Sequence, residues 1–358
     1  MTRATTLCLL LLAALGSAPR SDAADFMFRA EVSGKTLEGK PLIWDKRSMA
    51  LLGRDGQLYE FAPSQAKNAK KTSPSFRGYS SEEMRQQLYE EFGTRFGFTS
   101  TGHYLVAHPR GEGGEWARRF EDLYRTFVNY FRVRGFSPIE PPYPLVAVVF
   151  PNRSEYQRYV TKSEVGAPTG ALGHYEPASN RVYLYDQSTP GDERWAETAS
   201  TVIHEATHQT AYNVGVHRRF SPIPRWVSEG LATMFEARGV YDARSYDRGA
   251  DRINRGRLYD LQNDVLPNKS VGTVASFVSS NQMFDRKPIS AYAQAWALTY
   301  FLAETRPQAY SAYLERLAAR PLFQEYSPAE RVADFRRAFG GDLELLDSQF
   351  VSFAKDLR

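Results

Sequence analysis

The sequence predicts an α+β fold, in which a mixed β-sheet subdomain packs beside a mainly helical subdomain and follows a small antiparallel β module. Three observations predict it. Short runs of alternating apolar and polar residues occupy 26–65, strand-like and helix-like runs are mixed between 81 and 185, and almost everything after Arg194 has helical periodicity. With 358 residues, 42% of them hydrophobic, the chain is long enough to bury a large core.

The first residues predict a secretory signal peptide over 1–23. A basic start is followed by an apolar run from Leu7 to Leu15 and then by small residues up to Ala23. That run is too short to span a bilayer and no later segment is long enough, so we expect an exported protein, periplasmic or extracellular, with no transmembrane segment in the mature chain. An uncleaved anchor is the alternative. The only cysteine, Cys8, falls inside the leader, so any metal site would need nitrogen and oxygen ligands.

The composition is that of an ordinary globular protein. Charged residues make up 24% of the chain, and the formal net charge is only +4. This balance is too small to indicate a nucleic-acid partner. The oligomeric state is left open.

Residues 26–65 are expected to form the antiparallel β module. Strand-like runs such as FMFRAEVSG and PLIWD are separated by turn signals at Gly34 and Gly56. The next stretch, 66–80, is polar and lysine-rich and contains a proline, which predicts a linker. The large domain is therefore expected over 81–358.

The large domain is expected to begin with a helix, because Ser80 and Glu83 form a capping-box pattern. A strand, RFGFTSTGHYLVAH, a long amphipathic helix closed by Gly135, and a buried strand, PLVAVVF, follow. Two more strand-like runs, GALGHYEP and NRVYLYD, precede the helical half. NRVYLYD is the candidate edge for pairing with an extended peptide, and an ordinary interior strand is the alternative.

The helical stretch TVIHEATHQTAYN places His204 and His208 four residues apart, with Glu205 directly after the first histidine. Residues at this spacing lie one above the other, with about 5–6 Å between Cβ atoms, so both imidazoles can reach one zinc ion. Glu205 is displaced around the helix axis, where it can act as general base on a water without being a ligand. A solvated helix face that carries two histidines is the alternative.

A catalytic zinc site needs three protein ligands and an open position. The segment RWVSEGLATMFEAR is expected to form a helix to Gly239 that lies antiparallel to the first, so Glu229 can face the histidines. Glu236, seven residues later on the same face, is the candidate for orienting a ligand imidazole. His217 is a competing third ligand, although its spacing does not fit the three-histidine pattern. No ligand partner at motif spacing accompanies the other histidines, which are predicted to be structural or solvated: His103, His108 and His174.

At these residues the sequence resembles the gluzincin metallopeptidases, with HEATH on one helix and WVSEGLA on the next. The wider run from about Arg95 to Leu302 is similar to a bacterial family of peptidase-MA-like domains whose biological role is undefined. The resemblance implies a zincin-type helical subdomain, Glu205 as the base, and Zn2+ bound by His204, His208 and Glu229.

The helix SAYAQAWALTYFLAE resembles the downstream helix that carries a catalytic tyrosine in related gluzincins, which makes Tyr292 the candidate donor to the developing oxyanion. An aromatic side chain packed in a helical core is the alternative. Aminopeptidases of this clan carry a Gly-x-Met-Glu-Asn strand. Because no Met-Glu-Asn follows the glycines Gly170 and Gly173, endopeptidase action is favoured.

Together these features predict an exported zinc-dependent peptidase that hydrolyses a peptide or protein substrate with a zinc-activated water. The alternative is a catalytically inactive zinc-containing binding or scaffold protein of the cell envelope. The presence of Glu205 favours the enzyme, because a structural zinc site closes its fourth position with a protein ligand and needs no base.

Overall fold

The computed structural model describes residues 26–111, 114–163, 171–185, 195–268 and 273–358. The predicted signal peptide lies outside them. The described chain has the predicted α+β fold, with two five-stranded sheets and a helical C-terminal half. Within these ranges, every helix is too short or too polar to cross a membrane. The chain divides into two compact units, one made of residues up to 94 with 142–145 and 178–180, the other of the remaining residues.

The first unit contains an antiparallel sheet in the order β4-β3-β2-β1-β5. Its strands are β1 (Met27–Val32), β2 (Lys35–Trp44), β3 (Met49–Gly53), β4 (Leu58–Phe61) and β5 (Lys67–Ser73). Alternate residues of β1 and β3 enter one apolar cluster, among them Phe28, Ala30, Met49 and Leu51. This one-sided burial explains the period of two in the sequence.

The stretch 66–80, predicted as a linker, contains a strand. Residues Lys67–Ser73 form β5, which pairs antiparallel with β1. The three lysines of β5 are exposed, and charged side chains are typical of edge strands because they discourage pairing with another chain. The polar composition is therefore that of a sheet edge. Beyond it, the capping box of Ser80 and Glu83 is confirmed at the start of α1 (Ser81–Phe92).

The second unit contains a mixed sheet in the order β6-β7-β8-β10-β9. Its strands are β6 (Phe96–Ser100), β7 (Tyr104–Pro109), β8 (Leu145–Phe150), β9 (Gly173–Glu176) and β10 (Arg181–Tyr185). The run 95–108, predicted as one strand, is a hairpin, because the chain reverses at Thr101 and β6 pairs antiparallel with β7. β10 is parallel to β8, whereas β9 is antiparallel to β10.

Strand β10 is an interior strand. It has β8 on one side and β9 on the other, and all of its residues are buried. The prediction of a substrate edge at NRVYLYD is therefore wrong, and its interior alternative holds, because both sides of the strand are already paired. In the described part of this sheet the corresponding edge strand is β9.

The helices of the second unit are α2 (Glu115–Arg132), α3 (Arg153–Lys162), α4 (Trp195–Asn213), α5 (Arg225–Phe235), α6 (Arg238–Tyr241), α7 (Arg255–Asp260), α8 (Thr273–Ser279), α9 (Gln282–Arg286), α10 (Pro288–Thr305), α11 (Pro307–Ala318), α12 (Pro328–Phe339) and α13 (Leu343–Asp356). Helix α4 packs against β9, α2 and α5, and α5 in turn packs along the almost wholly buried α10. The two motif-bearing helices are therefore neighbours, enclosed by the sheet on one side and α10 on the other.

Helix α4 ends as predicted at Asn213, and Gly215 then takes the left-handed conformation with φ 86°. Helix α5 ends at Phe235, earlier than predicted. Ala237 is extended, with φ −73° and ψ 128°, and Gly239 lies inside the short helix α6. Glu236 therefore occupies the C-terminal cap of α5.

Helices α5 and α10 approach each other closely at Gly230. A Cβ atom on this residue would lie 2.2 Å from Thr299 Oγ1 and 2.5 Å from the carbonyl oxygen of Ala295. The missing side chain thus permits the contact between the two helices. Because Gly230 directly follows Glu229, this packing also fixes the position of Glu229.

Candidate metal centre

Three side chains from α4 and α5 converge at one point. One ligand atom each of His204, His208 and Glu229 lies within 4.8 Å of the others, and no other such group of His, Cys, Asp and Glu occurs among the described residues. His204 Nε2 is 3.2 Å from Glu229 Oε2, and His208 Nε2 is 3.1 Å from His204 Nε2 and 3.5 Å from Glu229 Oε2. We call these three residues the ligand cluster.

The ligand cluster fits a zinc ion in both chemistry and size. Two imidazole nitrogens and one carboxylate oxygen form a donor set found in catalytic zinc sites, where a fourth position stays open. Ligand atoms about 2.0 Å from a tetrahedral ion lie about 3.3 Å from one another. The three separations here are 3.1, 3.2 and 3.5 Å, so the donors already have the required spacing.

Glu236 fixes the orientation of the His204 ring. His204 Nδ1 donates to Glu236 Oε1 at 2.8 Å. In a neutral imidazole one nitrogen carries the hydrogen and the other has the lone pair, so a donating Nδ1 leaves Nε2 as the ligand atom. The contact that the predicted role of Glu236 requires is therefore present, and the role itself stays a prediction.

The charges of the cluster shift the pKa values of its members. Burial opposes protonation of His204, but its hydrogen bonds to Glu229 and Glu236 outweigh burial and hold its pKa well above the ordinary value, so a metal ion would have to displace the Nε2 hydrogen in order to bind. Burial would raise the pKa of Glu229, but His208 and His204 outweigh it and hold that pKa well below the usual range. Glu229 therefore stays ionised at neutral pH, as a metal ligand must.

Glu205 lies beside the ligand cluster without belonging to it. Its Oε2 accepts a hydrogen bond from the backbone N–H of Tyr175 in β9, at 2.7 Å. Burial raises the pKa of Glu205 above its ordinary value, against the opposing charges of His204 and His208. A raised pKa brings a carboxylate closer to the pH at which it can both accept and release a proton.

Tyr292 lies on α10 next to His204, with 6.5 Å between the ring centroids. Its ring also packs against Phe284 at 5.4 Å, and the Arg257 guanidinium lies 5.2 Å from its centroid. Burial and the Glu229 charge raise the pKa of Tyr292 above the ordinary value, although Arg225 opposes them. The hydroxyl therefore keeps its hydrogen at neutral pH.

His217, the competing third ligand, does not join the cluster. It is buried, its Nδ1 donates to the carbonyl oxygen of Val216 at 3.0 Å, and its ring lies 5.3 Å from that of Tyr212. Burial lowers the pKa of His217 to about 3. These contacts assign His217 to the core.

The remaining histidines contact other partners. His103 Nδ1 lies 2.9 Å from Glu121 Oε1, and His108 Nε2 lies 2.8 Å from Thr99 Oγ1. The hydroxyl of Tyr156 is 2.7 Å from His174 Nδ1. Each of these rings thus has a local structural partner, in agreement with the sequence analysis.

The sequence analysis did not identify two residues that contact the candidate site residues. Tyr175 acts through a backbone N–H, which has no side-chain signature. Asn254 donates through Nδ2 to Glu236 Oε2 at 2.8 Å, across 18 residues of sequence. An asparagine before a helix is a recognisable N-cap signal, but its second partner depends on the tertiary fold.

Comparisons with known proteins give a partial match. A family model described as "Protein of unknown function (DUF1570)" matches residues 198–324. Among curated proteins no match was found. Similar solved structures include a mutant M1 zinc metallopeptidase from Deinococcus radiodurans bound to a Tyr-Ser-Ala substrate, with 16% identity, a TM-score of 0.39, and 72% of this chain and 51% of that chain covered.

A second structure of the mutant M1 zinc metallopeptidase from Deinococcus radiodurans has 16% identity and a TM-score of 0.36, with 74% of this chain and 52% of that one covered. The ZmpB metallopeptidase from Clostridium perfringens has 12% identity and a TM-score of 0.37, with 94% and 71% covered. This chain spans about half the length of the two M1 structures. The activities in these names are those of the named proteins.

Proposed function

We propose that this chain is a zinc-dependent peptidase of the gluzincin type, with His204, His208 and Glu229 as the zinc ligands. One observation carries the proposal: three donor atoms converge at the separations of a tetrahedral site, and the Glu205 carboxylate lies beside them outside the ligand set. Zinc, when bound, supplies Lewis acidity, which lowers the pKa of a water toward about 7 and polarises a carbonyl group.

Glu205 is the proposed general base. Because its Oε2 is held by the Tyr175 amide, Oε1 is the oxygen that accepts the proton from the attacking water. The same oxygen then returns the proton to the leaving amine. Tyr292, which keeps its hydroxyl hydrogen, is the proposed donor to the negatively charged oxygen formed at the scissile carbonyl.

The substrate is proposed to lie along β9. The N–H of Tyr175 points to Glu205 and therefore away from β10, and alternate residues of a strand direct their backbone groups to the same side. Gly173 and Tyr175 thus face the side of β9 that borders the metal centre. Because the Tyr175 N–H is bonded to Glu205, an extended peptide would pair on this side through the backbone of Gly173 and run next to Glu205, an arrangement of β-augmentation.

The test is Glu205→Gln, assayed with a peptide library that contains free and blocked termini. We expect the variant to retain the wild-type zinc content and to lose hydrolysis by about 10²- to 10⁴-fold, the usual contribution of a general base. The control is Glu82→Gln, at a side chain that is 88% exposed on α1, which should leave both properties unchanged. A wild-type protein with full zinc and no cleavage anywhere in the library would indicate a binding protein and contradict the proposal.

A further inference from the structure

A chain of hydrogen bonds leads from Asn254, the N-cap residue of α7, to the His204 imidazole. Asn254 Nδ2 donates to Glu236 Oε2 at 2.8 Å, and Glu236 Oε1 accepts from His204 Nδ1 at 2.8 Å. Asn254 Nδ2 also donates to the carbonyl oxygen of Thr233 at 3.0 Å. Asn254 is thereby tied both to the backbone of α5 and to the carboxylate at the end of that helix.

The other end of the Asn254 amide caps α7. Its Oδ1 accepts from the backbone N–H of Arg257 at 3.2 Å. Only this orientation of the amide satisfies all three contacts, because Thr233 O and Glu236 Oε2 are acceptors and need the NH2 group, whereas the Arg257 N–H is a donor. Every polar atom of the Asn254 side chain is thus committed.

Glu236 needs this support because of where it lies. It occupies the C-terminal cap of α5, and the chain leaves the helix at the next residue, Ala237. A carboxylate held by one hydrogen bond can rotate about its terminal torsion, whereas bonds to both oxygens fix its plane. With Oε1 on His204 and Oε2 on Asn254, both oxygens are held, and the side chain is 13% exposed.

We propose that Asn254 is a positioning residue of the metal centre. By fixing the Glu236 carboxylate it holds the His204 ring in the orientation and tautomer that direct Nε2 to the ligand cluster. The inference rests on the proposed zinc function. It goes beyond that function because Asn254 lies outside the zinc-binding motif.

Two substitutions separate positioning from capping. Asn254→Asp retains an oxygen that can accept the Arg257 N–H, so the helix cap is kept. It removes both N–H donors and places a second carboxylate against Glu236 Oε2. Asn254→Ala removes both functions. A matched control is Asn152→Ala, since Asn152 caps α3 by accepting from the Glu155 N–H at 3.0 Å and has no contact with the metal centre among the described residues.

The experiment measures zinc affinity by chelator competition, the unfolding midpoint of the metal-free protein, and the visible spectrum of the cobalt-substituted protein. We expect Asn254→Asp and Asn254→Ala to weaken zinc binding by about 10- to 100-fold, the usual effect of losing an outer-shell partner, and to shift the cobalt bands. Asn152→Ala should lower the midpoint and leave the zinc Kd and cobalt spectrum as in the wild type.

A wild-type zinc Kd in Asn254→Asp overturns the inference and leaves the proposed function standing. Equal loss of zinc affinity in Asn152→Ala also overturns it, because the effect would then follow from general destabilisation. If the wild-type protein binds no zinc, the proposed function fails and this inference fails with it.

Discussion

At the scale of single residues, Tyr292 combines packing contacts with a position next to the ligand cluster. Its ring makes a T-shaped contact with Phe284 and lies 6.5 Å from the ring of His204. The sequence could not separate a core aromatic from a catalytic one. The structure shows the packing contacts of the ring, whereas the donor role of the hydroxyl stays a prediction.

Replacing Tyr292 with phenylalanine tests its hydroxyl alone. We expect Tyr292→Phe to lower kcat by about 10²- to 10³-fold, as for loss of one oxyanion donor, with unchanged zinc content. Steady-state kinetics and metal analysis give the two quantities. The control is Tyr300→Phe on the same helix, where the ring stacks on Trp296 at 5.9 Å. A wild-type kcat in Tyr292→Phe would remove this residue from the mechanism.

At the scale of elements, helical periodicity predicted helices α4 and α5 and the faces on which their candidate ligand side chains lie. His204, His208 and Glu229 fall on facing sides of α4 and α5, because a spacing of four residues places both histidines on one helix face. The ends of the elements were predicted less well. Helix α5 stops before Gly239 because Ala237 is extended, and that backbone conformation has no sequence signal of its own.

Strand positions were also only partly predictable. Alternation identified β10, but whether a strand lies inside a sheet or at its edge depends on which strands become its neighbours. Lys67–Ser73 shows the converse case, because its lysines resemble a linker while its backbone completes a sheet. The contact between Asn254 and Glu236 was likewise not predictable, because it depends on which segments become neighbours in the folded chain.

The contact between α5 and α10 gives a stability prediction. Gly230→Ala would place a methyl group 2.2 Å from Thr299 Oγ1, so we expect a loss of about 1–3 kcal/mol in the free energy of unfolding from overpacking. Urea unfolding measures it. Gly256→Ala, in α7, is the matched control, because the added Cβ would meet only Asn254 Oδ1 at 3.7 Å. It should be neutral or stabilise by up to about 1 kcal/mol, and equal losses in both variants would contradict the argument.

At the scale of the whole molecule, the free energy of unfolding should depend on pH through Glu121, a buried carboxylate of α2. Burial would raise its pKa, but hydrogen bonds from Arg125, His103 and Thr101 outweigh burial and lower the pKa of Glu121 from 4.5 to about 2. The ionised form is therefore the stabilising one. Its contribution is complete above about pH 4.5 and is lost as the pH falls toward 2.

We expect Glu121→Gln to lower the free energy of unfolding by about 2 kcal/mol at pH 7, a value for charged hydrogen bonds discounted for solvent. The difference from wild type should shrink as the pH falls below 4.5, which urea unfolding at several pH values would show. Glu115→Gln, an exposed residue of the same helix that pairs with Arg119, should cost no more than about 0.5 kcal/mol. A Glu121→Gln difference that is constant with pH would contradict the assignment.

If a substrate pairs with β9 as proposed, the shortness of this strand limits how much of the substrate can be held. The strand has four residues, a length of about 14 Å, and the carbonyl of Pro177 just beyond it is taken by Arg219. A polypeptide paired there would be held over a few residues only. So short a strand would favour substrate segments that are already unfolded and can become extended. Local unfolding of the substrate would then affect cleavage more than its amino-acid sequence does.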